Sequence, residues 1–393
     1  MIDFNLTEEQ RAIQKVAQDF AKKEIKPIAA ELDRIQDPEK AVGRDIIEKG
    51  LKVGFNTILV QERYGGGGGG VMDFALMLEE LSVADAGIAE SFCVSAGVAK
   101  TIDLFGTEEQ RERWLPIASH GMITFGATEP SSGSDLWSRI FDPEIVSKMG
   151  PRSTCKLEGD AYIINGTKCF TTNGGIAKLY GVLVRNDLTK PLADGASIFF
   201  ISPDTPGFSL GKMEDKLGQR LMSNADLIMD NVRLPKENLL GYEGFGGLMV
   251  ADVLSITGAG TGAIGVGISR AAFDAAFEYA KTRETWGRPI VQHQAVTIML
   301  ADMMIQIEAA RNLVYKAGWH YDNHDRPDIS LANMAKVFAA DTAMKVTIDA
   351  VQILGGYGYM RDYPVEKYMR DAKLLQIYDG SNQILRLEIM EEA

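Results

Sequence analysis

The chain has 393 residues, 46% hydrophobic and 24% charged, with a formal net charge of −13. That length predicts two or three domains, and the composition excludes a disordered, collagenous or disulfide-stapled chain. The acidic balance disfavours nucleic acid and anionic membrane as partners, and three scattered cysteines with four histidines that lack His-Glu-x-x-His spacing disfavour a metal site.

Met1–Asn5 carries neither a basic nor an apolar leader, so no targeting peptide is read and a cytoplasmic location is expected. Residues 1–120 read as helices. Thr7-Glu8-Glu9-Gln10 has the form of a capping box, and Ile13, Val16 and Phe20 follow at helical spacing. Pro27 marks a break or kink. The run Gly65 through Gly70 cannot stay in a helix and lacks the Lys-Ser/Thr of a phosphate cradle, so a flexible connector is expected. Helix resumes from Met72 to Leu81.

From about 121 to 240 the pattern becomes β. Lys156 to Lys168 reads as short strands with Gly159-Asp160 and Asn165-Gly166 turns. Tyr180–Val184 and Ser197–Ile201 are further apolar runs bounded by turn formers. Strands at such intervals, without intervening helices, predict an antiparallel barrel or sandwich. After about 245 helix returns. The uncharged stretch from Val253 to Ser269 is diluted by glycine and reads as a buried core helix rather than a membrane span. Gly260-x-Gly262-x-x-Gly265 within it matches a dinucleotide fingerprint, but no second strand follows, so close helix packing is expected. Ala332, Ala335, Ala339 and Ala343 form a small-residue stripe. The fold class is α+β: an N-terminal all-α domain over 1–120, a β domain over 121–240, and a C-terminal four-helix bundle over 241–393.

Three segments could carry chemistry. Gly126 to Asp135 crowds small and hydroxyl residues into a turn; its backbone N–H groups could face a ligand, or it is simply a Ser- and Gly-rich turn. Phe170, between Cys169 and Thr171-Thr172, could lie over a planar cofactor or sit in a sheet core. Asp379-Gly380-Ser381 reads as a turn with an N-cap for the last helix, a role that competes with a catalytic base at Asp379.

Together with Gln352-Ile353-Leu354-Gly355-Gly356-Tyr357-Gly358-Tyr359 and the following Asp362, Lys367 and Asp371, these segments resemble the acyl-CoA dehydrogenase family over nearly the whole chain. Ala127 stands where that family usually has a larger aliphatic residue. The resemblance implies an FAD cofactor and a homotetramer. It implies that Phe125, Ala127 and Thr128 run along the flavin ring, with Gly133 and Ser134 near the flavin diphosphate and the thioester. Phe170 takes the place of a tryptophan stacked on the isoalloxazine, and Thr172 that of a threonine near flavin N5. Arg283, Thr285 and Trp286 correspond to a segment reaching FAD from a neighbouring subunit. Gln294, Gln352 and Gly356 correspond to adenosine and diphosphate contacts across that interface. Ser381 and Gln383 correspond to contacts after the catalytic position, and Tyr378 and Gly380, beside the base, join Ser134 at the substrate.

The implied reaction removes a proton α to a thioester carbonyl and passes a β-hydride to flavin N5, with Asp379 as base. Most of the family has Glu there, and Asp is shorter by one C–C bond, about 1.5 Å. Some relatives carry the base at the position of Thr257, which has no carboxylate; Glu90 or Asp85 would be the alternatives in an unusual member. Gly258 and Glu391 stand where arginines are usual. The expected activity is α,β-desaturation of an acyl-CoA, the acyl group being alicyclic, aromatic or branched, with an electron-transfer flavoprotein as acceptor. The alternative is a flavin oxidase of a non-CoA carbon acid, similar to nitroalkane oxidase. A catalytically silent binding protein on the same scaffold is a third reading, disfavoured by the intact flavin positions.

Overall fold

A computed structural model of the chain describes residues 5–136, 150–325 and 328–391. Helix α1 (Glu8–Phe20) starts at the expected capping box: Thr7 Oγ1 accepts from Gln10 N, and Gln10 Oε1 accepts from Thr7 N, both at 3.1 Å. A single π-helical turn, Ala21–Ile25, leads into α2 (Lys26–Asp33), with Pro27 in the first turn of α2, where a missing N–H costs little. After a short helical turn at Pro38–Ala41, the longer helices α3 (Arg44–Val53), α4 (Val71–Ser82), α5 (Ala86–Phe105) and α6 (Glu108–His120) follow. Phe20, Phe55 and Phe92 knit it together edge to face, with ring centroids 5.0 and 5.6 Å apart.

The six-glycine run is not the flexible connector expected. Gly67, Gly68 and Gly69 donate to the carbonyls of Thr57, Val60 and Ile58 at 3.0, 2.9 and 2.8 Å. A Cβ on Gly66 would lie 2.0 Å from the Val60 oxygen. The run is glycine because it folds back flush against 57–60, with its backbone donors satisfied.

The β region is one seven-stranded sheet built from β1 (Ile123–Gly126), β2 (Thr154–Glu158), β3 (Ala161–Thr172), β4 (Leu179–Arg185), β5 (Ala196–Ile201), β6 (Phe208–Met213) and β7 (Asn224–Pro235). The strand order is β1-β4-β2-β3-β7-β6, with β5 on β4. The Gly159-Asp160 turn is present between β2 and β3. Two expectations need correction. The sheet is mixed: β1 pairs with β4 in parallel, Ile123 opposite Leu179, and β2 touches β4 in parallel at Thr154 and Arg185. Strand β1 arrives from α6 rather than through a hairpin, so no tight turn imposes the antiparallel sense. Asn165-Gly166 is not a turn but a bulge inside β3, where the register against β7 shifts between Ile164 and Gly166. Gly166 has φ 143° and faces Ser153 so closely that a Cβ would lie 2.2 Å from its Oγ.

Helix α7 (Gly246–Thr282) runs through the centre of the molecule and packs on α4 and α5. A small hairpin, β8 (Glu284–Thr285) with β9 (Arg288–Pro289), leads to α8 (Gln294–Asn323) and α9 (Ile329–Leu354). Helices α10 (Val365–Leu375) and α11 (Asn382–Glu391) pack back on α9. Helix α7 is long and apolar enough to cross a membrane, but its most apolar window is 78% buried in the fold. Its glycines explain this. Gly258, Gly262 and Gly265 meet Ala332, Ala335 and Ala339 of α9, so the two backbones approach closely. The Gly-x-Gly-x-x-Gly pattern is therefore a helix-packing device.

Candidate active site

A cavity of about 700 Å³ opens between α5, the β1 and β3 ends, α7 and the turn joining α10 to α11. Phe125, Ala127, Thr128, Gly133, Ser134, Phe170 and Thr172 line it from the sheet side, and Tyr378, Asp379 and Gly380 from the turn. Ser381 is tied to the same wall through its N–H, which donates to Ser134 Oγ at 2.9 Å. Val94, Val98, Ile198, Phe200, Val250 and Leu254 make the rest largely apolar.

Two devices position the sheet side. Lys168 of β3, fully buried, donates to Glu129 Oε1 at 2.6 Å and to the Ala127 carbonyl at 3.2 Å. Glu129 in turn accepts from Ser153 N at 3.0 Å. The Lys168 ammonium and hydrogen bonds hold the Glu129 carboxyl below its ordinary range although burial opposes this. This pair fixes the 126–134 turn whose role the sequence left open. Phe170 takes φ 57° and is 62% exposed, so it is not a core phenylalanine. Asn224 Nδ2 donates to the Phe170 carbonyl at 2.9 Å and holds that bend, while Asn224 Oδ1 is buried without a partner among the described residues.

Asp379 has φ 50° and Gly380 φ 79°, a left-handed pair that turns the chain between α10 and α11. Lys336 of α9 fastens this turn, donating to the Gly380 carbonyl at 2.7 Å and to Asn382 Oδ1 at 3.0 Å. Thr261 of α7 donates to Asp379 Oδ2 at 2.8 Å. Burial pushes the Asp379 carboxyl above its ordinary value; the Thr261 bond, the Lys336 charge and Thr257 pull back part of the way. Burial likewise lowers Lys336 to about 8, against the pull of Asp379, Asp341 and Glu90. Asp379 thus lies in the turn, as expected, and its desolvated carboxylate lies in the cavity wall.

Of the two alternative carboxylates, Asp85 is excluded by its bonds. It caps α5 through Ile88 N at 2.9 Å and pairs with Lys367 at 2.6 Å, which also holds Asp371. Glu90 does line the cavity, and Tyr378 Oη donates to its Oε2 at 2.9 Å. Thr257 is also in the wall and carries no carboxylate.

The remaining cofactor candidates are not in this cavity. Arg283, Thr285, Trp286 and Gly356 line a second one of about 820 Å³ that shares no residue with the first. Gln294 and Gln352 flank it in sequence, at the start of α8 and the last turn of α9. Gln383 is exposed in the first turn of α11 and lines neither. In the second cavity His293 Nδ1 accepts from Arg288 Nε at 3.3 Å. His293 Nε2 lies 3.1 Å from both the Thr285 hydroxyl and the Thr285 carbonyl oxygen. Trp286, at φ 55°, is 96% exposed.

The first cavity fits a flavin. It offers an exposed, backbone-fixed aromatic ring, the Thr128, Ser134 and Thr172 hydroxyls and, among the described residues, an Asn224 acceptor without a partner and a Gly133 with nothing within 4 Å of a notional Cβ. Thr261 and Lys336 escaped the sequence reading, since both lie in helix interiors where nothing marks them as site residues.

Comparison with known proteins gives three family models matching in order. They are the acyl-CoA dehydrogenase N-terminal domain over residues 7–121, the middle domain over 124–232 and the C-terminal domain over 244–393. Among solved structures, butyryl-CoA dehydrogenase from Megasphaera elsdenii superposes with a TM-score of 0.92 at 38% identity, covering 99% of each chain. A chain in a structure described as the electron transferring flavoprotein of Acidaminococcus fermentans has a TM-score of 0.91 at 42% identity, again covering 99% of each. Cyclohex-1-ene-1-carbonyl-CoA dehydrogenase of Syntrophus aciditrophicus is 39% identical over 97% of this chain and 89% of its own.

Proposed function

The chain belongs to the acyl-CoA dehydrogenase family, and from that premise we propose that Asp379 is the base that removes the α-proton of its acyl-CoA substrate. The observation that carries this is the Asp379 carboxylate itself, desolvated in the wall of the cavity that also holds Phe170 and Thr172. A raised pKa makes a stronger base, and the thioester α-C–H is weakly acidic, so the match improves as the carboxylate is desolvated. The Asp379 peptide N–H is assigned to the thioester carbonyl, where polarisation acidifies that C–H. Lys336 keeps this N–H aimed by holding the Gly380 carbonyl.

FAD is the proposed cofactor, held by Phe125, Ala127, Thr128, Gly133, Ser134, Phe170 and Thr172; when bound it supplies the acceptor for the β-hydride. The homotetramer belongs to the same proposal. Arg283, Thr285, Trp286 and Gly356 are grouped away from the first cavity, so they serve a flavin only if they belong to a second copy's site. The bare Trp286 and the exposed Ile298 and Ile305 on α8 supply surface for such a contact. An electron-transfer flavoprotein is the proposed acceptor, supported by the likeness to the A. fermentans chain.

The acyl group is proposed to be alicyclic, aromatic or branched. The short Asp379 side chain and the likeness to the S. aciditrophicus enzyme support it. Two of the relatives named above, those from M. elsdenii and S. aciditrophicus, are CoA-thioester dehydrogenases, which favours this reading over the carbon-acid oxidase. The test is anaerobic flavin bleaching by butyryl-CoA and cyclohexanecarbonyl-CoA. Faster bleaching by the ring thioester is expected; preference for butyryl-CoA overturns the acyl assignment, and no bleaching by either overturns the reaction.

A further inference from the structure

Glu90 sits where a carboxyl group is expensive. It lies on α5, is 0% exposed, and lines a cavity whose neighbouring α5 positions are Val94 and Val98. One oxygen is satisfied: Tyr378 Oη donates to Oε2 at 2.9 Å. The other, Oε1, is buried with no partner among the described residues. An unpaired buried carboxyl oxygen costs stability that an apolar residue of similar size would not. Tyr378 alone does not account for it, since one acceptor atom suffices for that hydroxyl.

We infer that Glu90 reads a hydroxyl group on the acyl portion of the substrate, at a carbon beyond the two that react. This rests on the dehydrogenase reading above and narrows its substrate class. The choice of a hydroxyl follows from chemistry. Burial and the nearby Asp379 charge both push the Glu90 carboxyl well above its ordinary value, while Tyr378 and Lys336 oppose this. A neutral carboxyl donates through Oε1–H and an ionised one accepts at Oε1. A hydroxyl complements both forms, whereas a carbonyl or ether suits only the first and an ammonium only the second. A substrate carboxylate would add a third acid beside Glu90 and Asp379. A purely hydrocarbon chain would leave Oε1 without a hydrogen-bond partner in the complex.

The test uses the FAD-loaded full chain and two thioester pairs that differ by one hydroxyl: cyclohexanecarbonyl-CoA with its 4-hydroxy derivative, and butyryl-CoA with 4-hydroxybutyryl-CoA. The rate of anaerobic flavin reduction at sub-saturating thioester is measured for each. In at least one pair the hydroxylated member is expected to react about tenfold faster or more, the worth of one hydrogen bond to a buried carboxyl. Glu90→Leu is expected to bring that ratio to about one or below. Glu90→Gln keeps both the volume and a hydrogen-bonding arm, so it retains a preference above that of the Leu variant. Flavin content and melting temperature show whether each variant is folded; if Glu90→Leu is not, the wild-type ratios still decide. Equal rates within both pairs, or faster reaction of the unsubstituted members, overturn the inference while leaving the dehydrogenase reading intact. An unchanged ratio in Glu90→Leu also overturns it. Failure of all four thioesters to bleach the flavin overturns both.

Discussion

Thr261 Oγ1 donates to Asp379 Oδ2 at 2.8 Å and ties the carboxylate of the α10–α11 turn to the middle of helix α7. The two residues are 118 positions apart in the chain. The bond stabilises the ionised form, so it holds the raised Asp379 pKa in check.

Removing that bond sets a direction for the pH profile. A carboxylate base works when deprotonated, so with Asp379 as the proposed base flavin reduction is expected to fade as pH falls through the Asp379 pKa. Thr261→Val removes a stabiliser of the carboxylate and raises that pKa. The acid limb of the reduction rate is expected to move upward by about one to two pH units, from roughly 1.5–3 kcal/mol for a hydrogen bond to a charged group. Thr261→Ser, which restores the hydroxyl, is expected to bring the limb back. Stopped-flow reduction across pH measures both.

The buried Lys168–Glu129 pair is a stability element as well as a positioning one. Lys168→Met alone or Glu129→Gln alone leaves a buried charge without its partner and is expected to cost about 3–5 kcal/mol. The double variant is expected to lose less than the sum, because neither charge is stranded. Denaturant midpoints of all four proteins give the coupling. Glu129 has a folded pKa below its ordinary 4.5, so its contribution is fully present above that value and lost as pH falls below it.

The glycines of α7 make opposite predictions at two nearby positions. A Cβ at Gly267 would lie 2.3 Å from the Glu79 carbonyl oxygen and 2.0 Å from Ser82 Oγ, so Gly267→Ala is expected to destabilise by about 1–3 kcal/mol. A Cβ at Gly258 would lie 3.5 Å from the Ala332 oxygen, an ordinary contact, so Gly258→Ala is expected to be neutral or stabilising by up to about 1 kcal/mol. Thermal melts separate the two.

Much of this was legible in the chain, and the failures share a cause. The Thr7 capping box, the Gly159-Asp160 turn and the small-residue face of α7 are local patterns, and each formed as its spacing implied. Phe125, Ala127, Thr128, Gly133, Ser134, Phe170 and Thr172 stood out by their family resemblance and line one cavity. What depends on long-range contact was not legible. Asn165-Gly166 has turn chemistry but lies inside a strand because β7 pairs across it. The Gly65–Gly70 run looks flexible but is pinned by carbonyls of 57, 58 and 60. Thr261, Lys336 and the orphaned face of Glu90 acquire meaning only when α5, α7 and α9 converge on one turn.

Trp286 carries a prediction about assembly. Its ring is 96% exposed at the tip of the β8–β9 hairpin, in the cavity separate from Asp379. Trp286→Ala is expected to weaken both self-association and flavin retention, as the proposed role of this ring in a neighbouring copy's cofactor site requires. Sedimentation velocity and bound-flavin absorbance check the two together; loss of neither contradicts the shared site.

The most direct test of the central claim is single-turnover reduction of the Asp379→Asn variant, loaded with FAD and mixed anaerobically with the thioester that best reduces the wild type. Asn preserves shape and the Thr261 contact but cannot take a proton. The account predicts normal flavin binding and a reduction rate at least about a thousandfold lower, about 4 kcal/mol in barrier. Reduction at close to the wild-type rate would contradict it and place the base on another residue.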